Sequence, residues 1–199
     1  MPPNASCVWS VCGTALKRRL DMTGLQESLM DLKIRKMDID DLEPLYMLLS
    51  DAQVMRFLEP PFSRDRTERF LAEAGLSDPP LILAAEAYGV FIGYVIFHDY
   101  DDESSEIGWV LLPEYWGRGF ASCLTEMLIE RGRQLNRQLV IECDSEQKVT
   151  RHIALKYGFL YEGRKDGLDI YRLDIHRPDL LPGPEDVRRG EYHGVQKDF

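Results

Sequence analysis

Gly117-Arg118-Gly119 is the stretch of this 199-residue chain best suited to hold a charged ligand. Two residues without Cβ sit where a helix begins and leaves its first amides unbonded, so a ligand oxygen can touch the backbone and meet the positive end of the helix dipole. A diphosphate fits that description, and a plain tight turn is the bland alternative. A P-loop is excluded, because nothing supplies its Lys or its magnesium-binding hydroxyl in place. A dinucleotide-binding turn stays open. Gly117-x-Gly119-x-x-Ser122 opens a helix, and Leu139 to Asp144 reads as a strand ending in an acidic residue where a ribose partner would lie. Against it stand Ser122 in place of a third glycine, the insertion of Pro113 to Trp116 before the glycines, and preceding strands that read as hairpins.

The elements around the turn follow from periodicity. Ile107, Trp109 and Leu111 alternate with Glu106, Gly108 and Val110, the pattern of a strand with two unlike faces, and Pro113 ends it. From Phe120 the apolar residues Leu124, Met127, Leu128 and Leu135 form one face of a helix of about four turns. Upstream, Leu32 to Lys36 alternates as a first strand. Asp40-Asp41 precede a helix carrying Leu42, Leu45, Leu48 and Leu49, with Pro44 tolerated in its first turn. Val54 to Phe62 breaks that helix, and Ser63 caps a second one through Phe70, Leu71 and Ala74. Leu81 to Ala87 and Val90 to His98 are strands joined at Tyr88-Gly89. Asp99 to Glu103 then form an acidic hairpin tip, either a solvated loop or a lure for an ammonium substrate. Past the long helix, Gln138 to Cys143 is a buried strand and Gln147 to Tyr157 a helix with Gly158 at C′. Phe159 to Arg164 and Leu168 to Ile175 close the sheet through Lys165-Asp166-Gly167.

Trp116-Gly117-Arg118-Gly119-Phe120-Ala121 resembles the Gln/Arg-x-x-Gly-x-Gly/Ala signature of the GNAT acyltransferases, with Trp in the first position. Glu106-Ile-Gly-Trp followed by Pro113-x-Tyr-Trp-Gly-Arg-Gly-Phe-Ala is similar to the ribosomal-protein-alanine N-acetyltransferase-like branch. The resemblance covers roughly Leu32 to Ile175. It implies a GNAT-like α/β domain over 31–176, with a mixed, mostly antiparallel sheet, helices on both faces and splayed central strands. It implies acetyl-CoA as donor, its pyrophosphate on the amides of Gly117, Arg118, Gly119, Phe120, Ala121 and Ser122, and its pantetheine along Trp109, Val110 and Leu111. Gln147 and Thr150 take the Asn and Ser places of the family's second motif, which ends here as Lys156-Tyr-Gly-Phe. The tyrosine acid common in the superfamily is replaced by Ala154, and Tyr157 lies nearly a turn further on, where it packs. The helical pair after the first strand borders the family's acceptor pocket, which makes Phe57, Glu59 and Phe62 candidate acceptor contacts. Buried aromatic packing is the other reading of these phenylalanines.

The reaction implied is direct acetyl transfer to an amine. An alkylammonium with pKa about 10.4 must lose its proton to attack, which at pH 7 costs roughly 4.6 kcal/mol, so a proton acceptor or a desolvated entry is needed. Glu106, at the start of the central strand, is the candidate acceptor, acting through water unless burial raises its pKa. Thr150 is the hydroxyl placed to stabilise or protonate the leaving thiolate. A NAD-binding oxidoreductase and a silent acetyl-CoA-binding module are the alternatives.

Composition bounds the rest. A net charge of -10 disfavours nucleic acid and anionic membranes and suits a cationic acceptor, a protein N-terminus or a small-molecule amine. Cys7, Cys12, Cys123 and Cys143 have no metal-ligand spacing, so no metal is expected, and a reducing cytoplasm fits. Ala5 to Leu16 is too short to span a bilayer and has its basic cluster on the wrong side for a signal peptide. Residues 1–30 are an extension without clear period, 177–199 a tail with Pro, Gly and scattered charge, and the assembly a monomer or homodimer.

Overall fold

The computed structural model describes residues 9–10 and 31–176. Most of the expected extension 1–30 and all of the tail 177–199 lie outside the described residues. The described residues divide into two compact units, those up to 98 with 107–128, and 99–106 with those from 129 onward.

In the first unit, strands β1 (Trp9–Ser10), β2 (Leu32–Arg35), β3 (Ile82–Ala87) and β4 (Val90–Asp99) follow one another antiparallel. The later part of β5 (Ser104–Leu111) lies beside β4, where the Leu112 amide donates to the Ile92 carbonyl at 2.9 Å. β3 and β4 turn at Tyr88-Gly89, with φ of 54° and 73°. Two successive positive φ values make a type I′ turn, whose twist matches the strands. The chain enters the first helix through a 3-10 turn that Asp38 caps, and Asp41, at the N-cap position of the helix itself, makes no side-chain cap bond to it. Asp38 accepts from the Asp40 amide at 2.9 Å while Asp41 accepts from the Asp38 amide at 2.9 Å, and a 3-10 turn, Ile39–Asp41, leads into α1 (Leu42–Ser50). Reciprocal capping outranks a simple acidic pair because it satisfies two orphan amides at once. Ser63 caps α2 (Arg64–Phe70) as expected, its hydroxyl accepting from the Arg66 amide at 3.3 Å.

Leu45, Leu48, Leu49 and Leu71 lose essentially all solvent contact between these helices and the strands. Each such side chain contributes about 1.5–3 kcal/mol. One part-buried ion cluster belongs to the same unit. The Arg35 guanidinium donates to both Asp41 oxygens at 2.7 Å and to Glu86 at 2.8 Å, which meets the carboxylate of a residue only 3% exposed.

In the second unit the start of β5 pairs in parallel with β6 (Gln138–Cys143), Ser104 to Glu106 against Gln138 to Val140. β6 pairs antiparallel with β8 (Leu168–Leu173), and β8 with β7 (Leu160–Lys165). The mostly antiparallel α/β architecture is therefore the expected one, with one parallel pair among the described residues. Helix α3 (Phe120–Leu135) has sixteen residues and ends in this unit. Its Gly132 packs so close to β6 that a Cβ would stand 2.8 Å from Leu139 Cδ2. Helix α4 (Lys148–Lys156) ends in a Schellman motif. Gly158, at φ 83°, donates to Leu155, and the buried Phe159 donates to Ala154 at 3.0 Å.

Candidate functional site

The glycine turn belongs to the first unit. After β5, a 3-10 turn at Pro113–Tyr115 carries the chain to Trp116, whose indole Nε1 donates back to the Leu111 carbonyl at 2.7 Å. That bond ties the turn to the strand end and leaves Trp116 offering a ligand its ring and backbone, not its N–H. Gly117 and Gly119 both adopt left-handed φ, 69° and 87°, a conformation nearly free for glycine. A Cβ on Gly117 would meet nothing within 4 Å, so the turn keeps open space above its backbone. The first helical bond of α3 runs from the Cys123 amide to the Gly119 carbonyl at 3.1 Å. The amides of Phe120, Ala121 and Ser122 precede it and are the ones a helix leaves for an anion. Phe120 itself is 2% exposed and stacks edge-on against Tyr115 at 5.7 Å, so its side chain anchors the turn. The Arg118 guanidinium is exposed and lies 5.9 Å from the Tyr115 ring centre.

On β5, Val110 and Leu111 are buried and Trp109 is half-buried. Since Leu112 donates toward β4, strand alternation turns the backbone groups of Trp109 and Leu111 to the edge away from β4. The open turn, the unbonded amides and this backbone edge fit an extended acyl thioester with a diphosphate at its end.

The three expected acceptor contacts separate. Phe62 is a core residue, T-shaped on Phe70 at 5.7 Å and covered by Arg66 at 3.9 Å. Phe57 is half-buried under the Arg56 guanidinium at 4.9 Å. Glu59 is exposed, ion-paired with Arg66, and lines a shallow cavity of about 370 Å³ with Met55, Arg56, Leu58, Pro60 and Pro61.

In the second unit, Glu106 is half-buried and stands in register with Val140, which is in register with Arg172, so Glu106 and Arg172 share one face of the sheet. Tyr100 and Glu142, which periodicity did not single out, complete its surroundings. The Tyr100 phenol is pushed up to about 12, mostly by its hydrogen bond with Glu142, then by burial, with the charge of Glu106 adding to it. Arg172 donates to Glu162 at 2.9 Å and to Asp101 at 3.3 Å, and its guanidinium lies 5.9 Å from the Tyr100 ring centre. Gln147 accepts from the Asp144 amide at 3.2 Å through its side-chain oxygen, which leaves its NH2 group as the donor for a ligand. Thr150 is half-buried on the first turn of α4. Ala154 is fully buried, and Tyr157 packs at 8% exposure with the Lys156 ammonium 4.9 Å from its ring centre.

The acidic tip is not a bare cluster of charge. Arg137 donates to the carbonyls of Asp101, Asp102 and Ser104 at 2.6–2.7 Å, to Asp99 at 3.0 Å and to Ser105 Oγ at 3.3 Å. Asp101 accepts from the amides of Glu103 and Ser104 at 2.9 and 2.7 Å. Its carboxyl is drawn down to about 2, first by Ser104, with the Glu103 amide and Arg172 contributing. Asp102 and Glu103 are the tip carboxylates without an ion pair among the described residues.

Among the described residues no group of acidic, His or Cys side chains has metal-binding geometry, and no helix is long and apolar enough to cross a membrane.

Comparison with known proteins places this geometry. A family model described as an acetyltransferase (GNAT) domain matches residues 31–160. An uncharacterized N-acetyltransferase, YnaD of Bacillus subtilis, is 29% identical over 139 residues, covering 66% of this chain and 81% of that protein. An uncharacterized N-acetyltransferase, p20 of Bacillus licheniformis, is 32% identical over 167 residues, covering 72% and 92%. Among solved structures, a GNAT-family acetyltransferase from Bacillus anthracis shares the fold, with TM-score 0.64 and 24% identity over 71% of this chain and 92% of that one.

Proposed function

The chain belongs to the GNAT acetyltransferase family and is an acetyl-CoA-dependent N-acetyltransferase; from that premise we propose which of its residues hold the donor and move the proton. The dinucleotide reading gives way with the family assignment. Acetyl-CoA supplies the activated acetyl group. Gly117 to Ser122 receive its diphosphate on backbone amides, and the edge of Trp109 to Leu111 that faces away from β4 aligns its arm. The observation that carries this reading is the open space over Gly117 at the start of a sixteen-residue helix.

Attack forms the N–C bond and breaks the C–S bond, so one proton must leave the amine and one must reach the sulfur. Glu106 takes the first, directly or through a water. Thr150 stabilises the thiolate with its hydroxyl, and Gln147 orients the arm through its remaining donor. The acceptor is an amine of a protein N-terminus or a small molecule, met by Glu59 and by Phe57 at the helical pair.

Gly117→Asn tests the donor site. Asparagine tolerates the left-handed conformation, so the turn should survive while its side chain enters the open space. Acetyl-CoA affinity should fall at least tenfold, about 1.4 kcal/mol. Unchanged affinity by calorimetry in the folded variant would remove the proposed site.

A further inference from the structure

Gly93, on β4 in the first unit, has φ 152°, a backbone conformation that residues with a side chain rarely adopt. It follows a β-bulge. The pairing of β3 with β4 steps from Ala85 opposite Gly93 to Glu86 opposite Phe91, so Ile92 is an extra residue on β4. The carbonyl of that extra residue is the one that accepts from the Leu112 amide, just past β5. Beside it, a Cβ on Gly93 would stand 2.1 Å from the Val110 carbonyl oxygen, 2.9 Å from Leu111 Cα and 3.0 Å from Leu111 Cδ2. β5 therefore lies in space that the side chain of any other residue at 93 would occupy.

Carbon and carbonyl oxygen ordinarily approach to about 3.3 Å, so a methyl group at 93 would drive the Val110–Leu111 backbone away from β4 by roughly 1 Å. The direction follows from the strand order. Backbone pushed away from β4 moves toward the opposite edge of β5, the edge proposed above for the thioester arm. Gly108, also on β5, gives the contrast. A Cβ there would meet only the Ile96 side chain, Cδ1 at 3.2 Å and Cβ and Cγ1 at 3.7 Å, and the end of a side chain can yield. At Gly93 the obstacle is main chain, on the strand that flanks the arm.

We propose that Gly93 is a positioning residue for acyl transfer: carrying no side chain, it lets the Val110–Leu111 backbone sit back against β4, which leaves room for the acyl group and sets the size that fits. This rests on the donor reading above. The diphosphate is held elsewhere, on Gly117 to Ser122, so the two ends of the donor should respond differently to a change at 93. A misplacement of about 1 Å can cost about a hundredfold in rate, and one methylene in a fitted slot is worth about tenfold or more.

The test sets Gly93→Ala beside Gly108→Ala, measuring thiol release from acetyl-CoA and from propionyl-CoA with a mixture of alaninamide, butylamine and spermidine as acceptors. In Gly93→Ala, CoA affinity by calorimetry should stay within about threefold of the parent, while kcat with acetyl-CoA falls about a hundredfold and with propionyl-CoA about tenfold further. Gly108→Ala should keep the parent's ratio of kcat/KM for the two donors. A Gly93→Ala protein that melts lower but keeps that ratio overturns the inference, because that is the signature of packing alone. So does the same change of ratio in Gly108→Ala. Should Gly93→Ala not fold, or the amines not react, NMR of the parent protein decides. The amides of Leu111 and Gly93 should shift with acetyl-CoA, further with propionyl-CoA, and not with ADP, which carries a diphosphate and no arm. Acetyl-CoA binding that leaves both amides unmoved overturns the role of Gly93, whereas absence of acetyl-CoA binding to the parent overturns the donor site as well.

Discussion

The turn at 112–122 and the loop at 99–104 both stand out in the sequence as places where chemistry happens, and they are held in opposite ways. The turn is held by backbone conformation: two left-handed glycines, a buried Phe120 and one indole-to-carbonyl bond, with the space above Gly117 left open. The loop is held by side chains that consume its polar groups. Arg137 takes three of its carbonyls, and Arg172 and the local amides take Asp101. Glycine in a sequence leaves space that folding has no side chain to fill. Charge in a sequence is available to a substrate only after the arginines folded against it have been accounted for.

Three changes press on that contrast. Arg137→Ala should have the largest effect, since it removes the anchor common to Asp99, Asp101, Asp102 and Ser104. A loss of about 2–3 kcal/mol in chemical unfolding is expected, given partly exposed bonds of about 0.5–1.5 kcal/mol each. A stability change below half a kcal/mol would mean that the loop holds itself.

Asp101→Asn should come next and should depend on pH. The folded carboxyl titrates near 2, below the unfolded value of about 3.9, so its contribution is present above pH 4 and is lost as pH falls toward 2. The gap in melting temperature between the variant and the parent should therefore be open at pH 7 and close in acid. A gap that stays constant with pH would assign the effect to shape and not to charge.

The smallest effect should come from Asp102→Asn with Glu103→Gln, the tip carboxylates without an ion pair among the described residues. Stability should stay within about 0.5 kcal/mol. KM for a cationic amine should rise modestly at low salt with kcat unchanged, as capture by a screened surface charge requires. If kcat falls instead, the tip takes part in the reaction.

Much of the fold is local and therefore legible. Tyr88-Gly89, Ser63 as a cap, Gly158 at C′ and the switch of period from β5 to α3 each concern residues a few positions apart, and the structure has each in place. The reciprocal pair of Asp38 with Asp41, which caps the 3-10 turn leading into α1, looks in sequence like any acidic run. Glu106 was visible as the polar start of a strand, but its companions were not: Glu142 and Arg172 reach it only through the register of β6 and β8. Phe62 and Phe57 carry the same side chain, and only packing made one a core ring and the other a half-covered surface group.

By itself the sequence determined the backbone devices, namely glycines where φ must be positive, capping residues and apolar periods, because these act within one turn of chain. Tertiary structure decided which polar groups remain free. Arg137, just past a helix end, finds the acidic tip far away in sequence, and the Trp116 N–H is spent on Leu111. The physical reason is that a polar group's availability depends on every donor and acceptor that folding brings within about 3 Å, most of which lie far away in sequence.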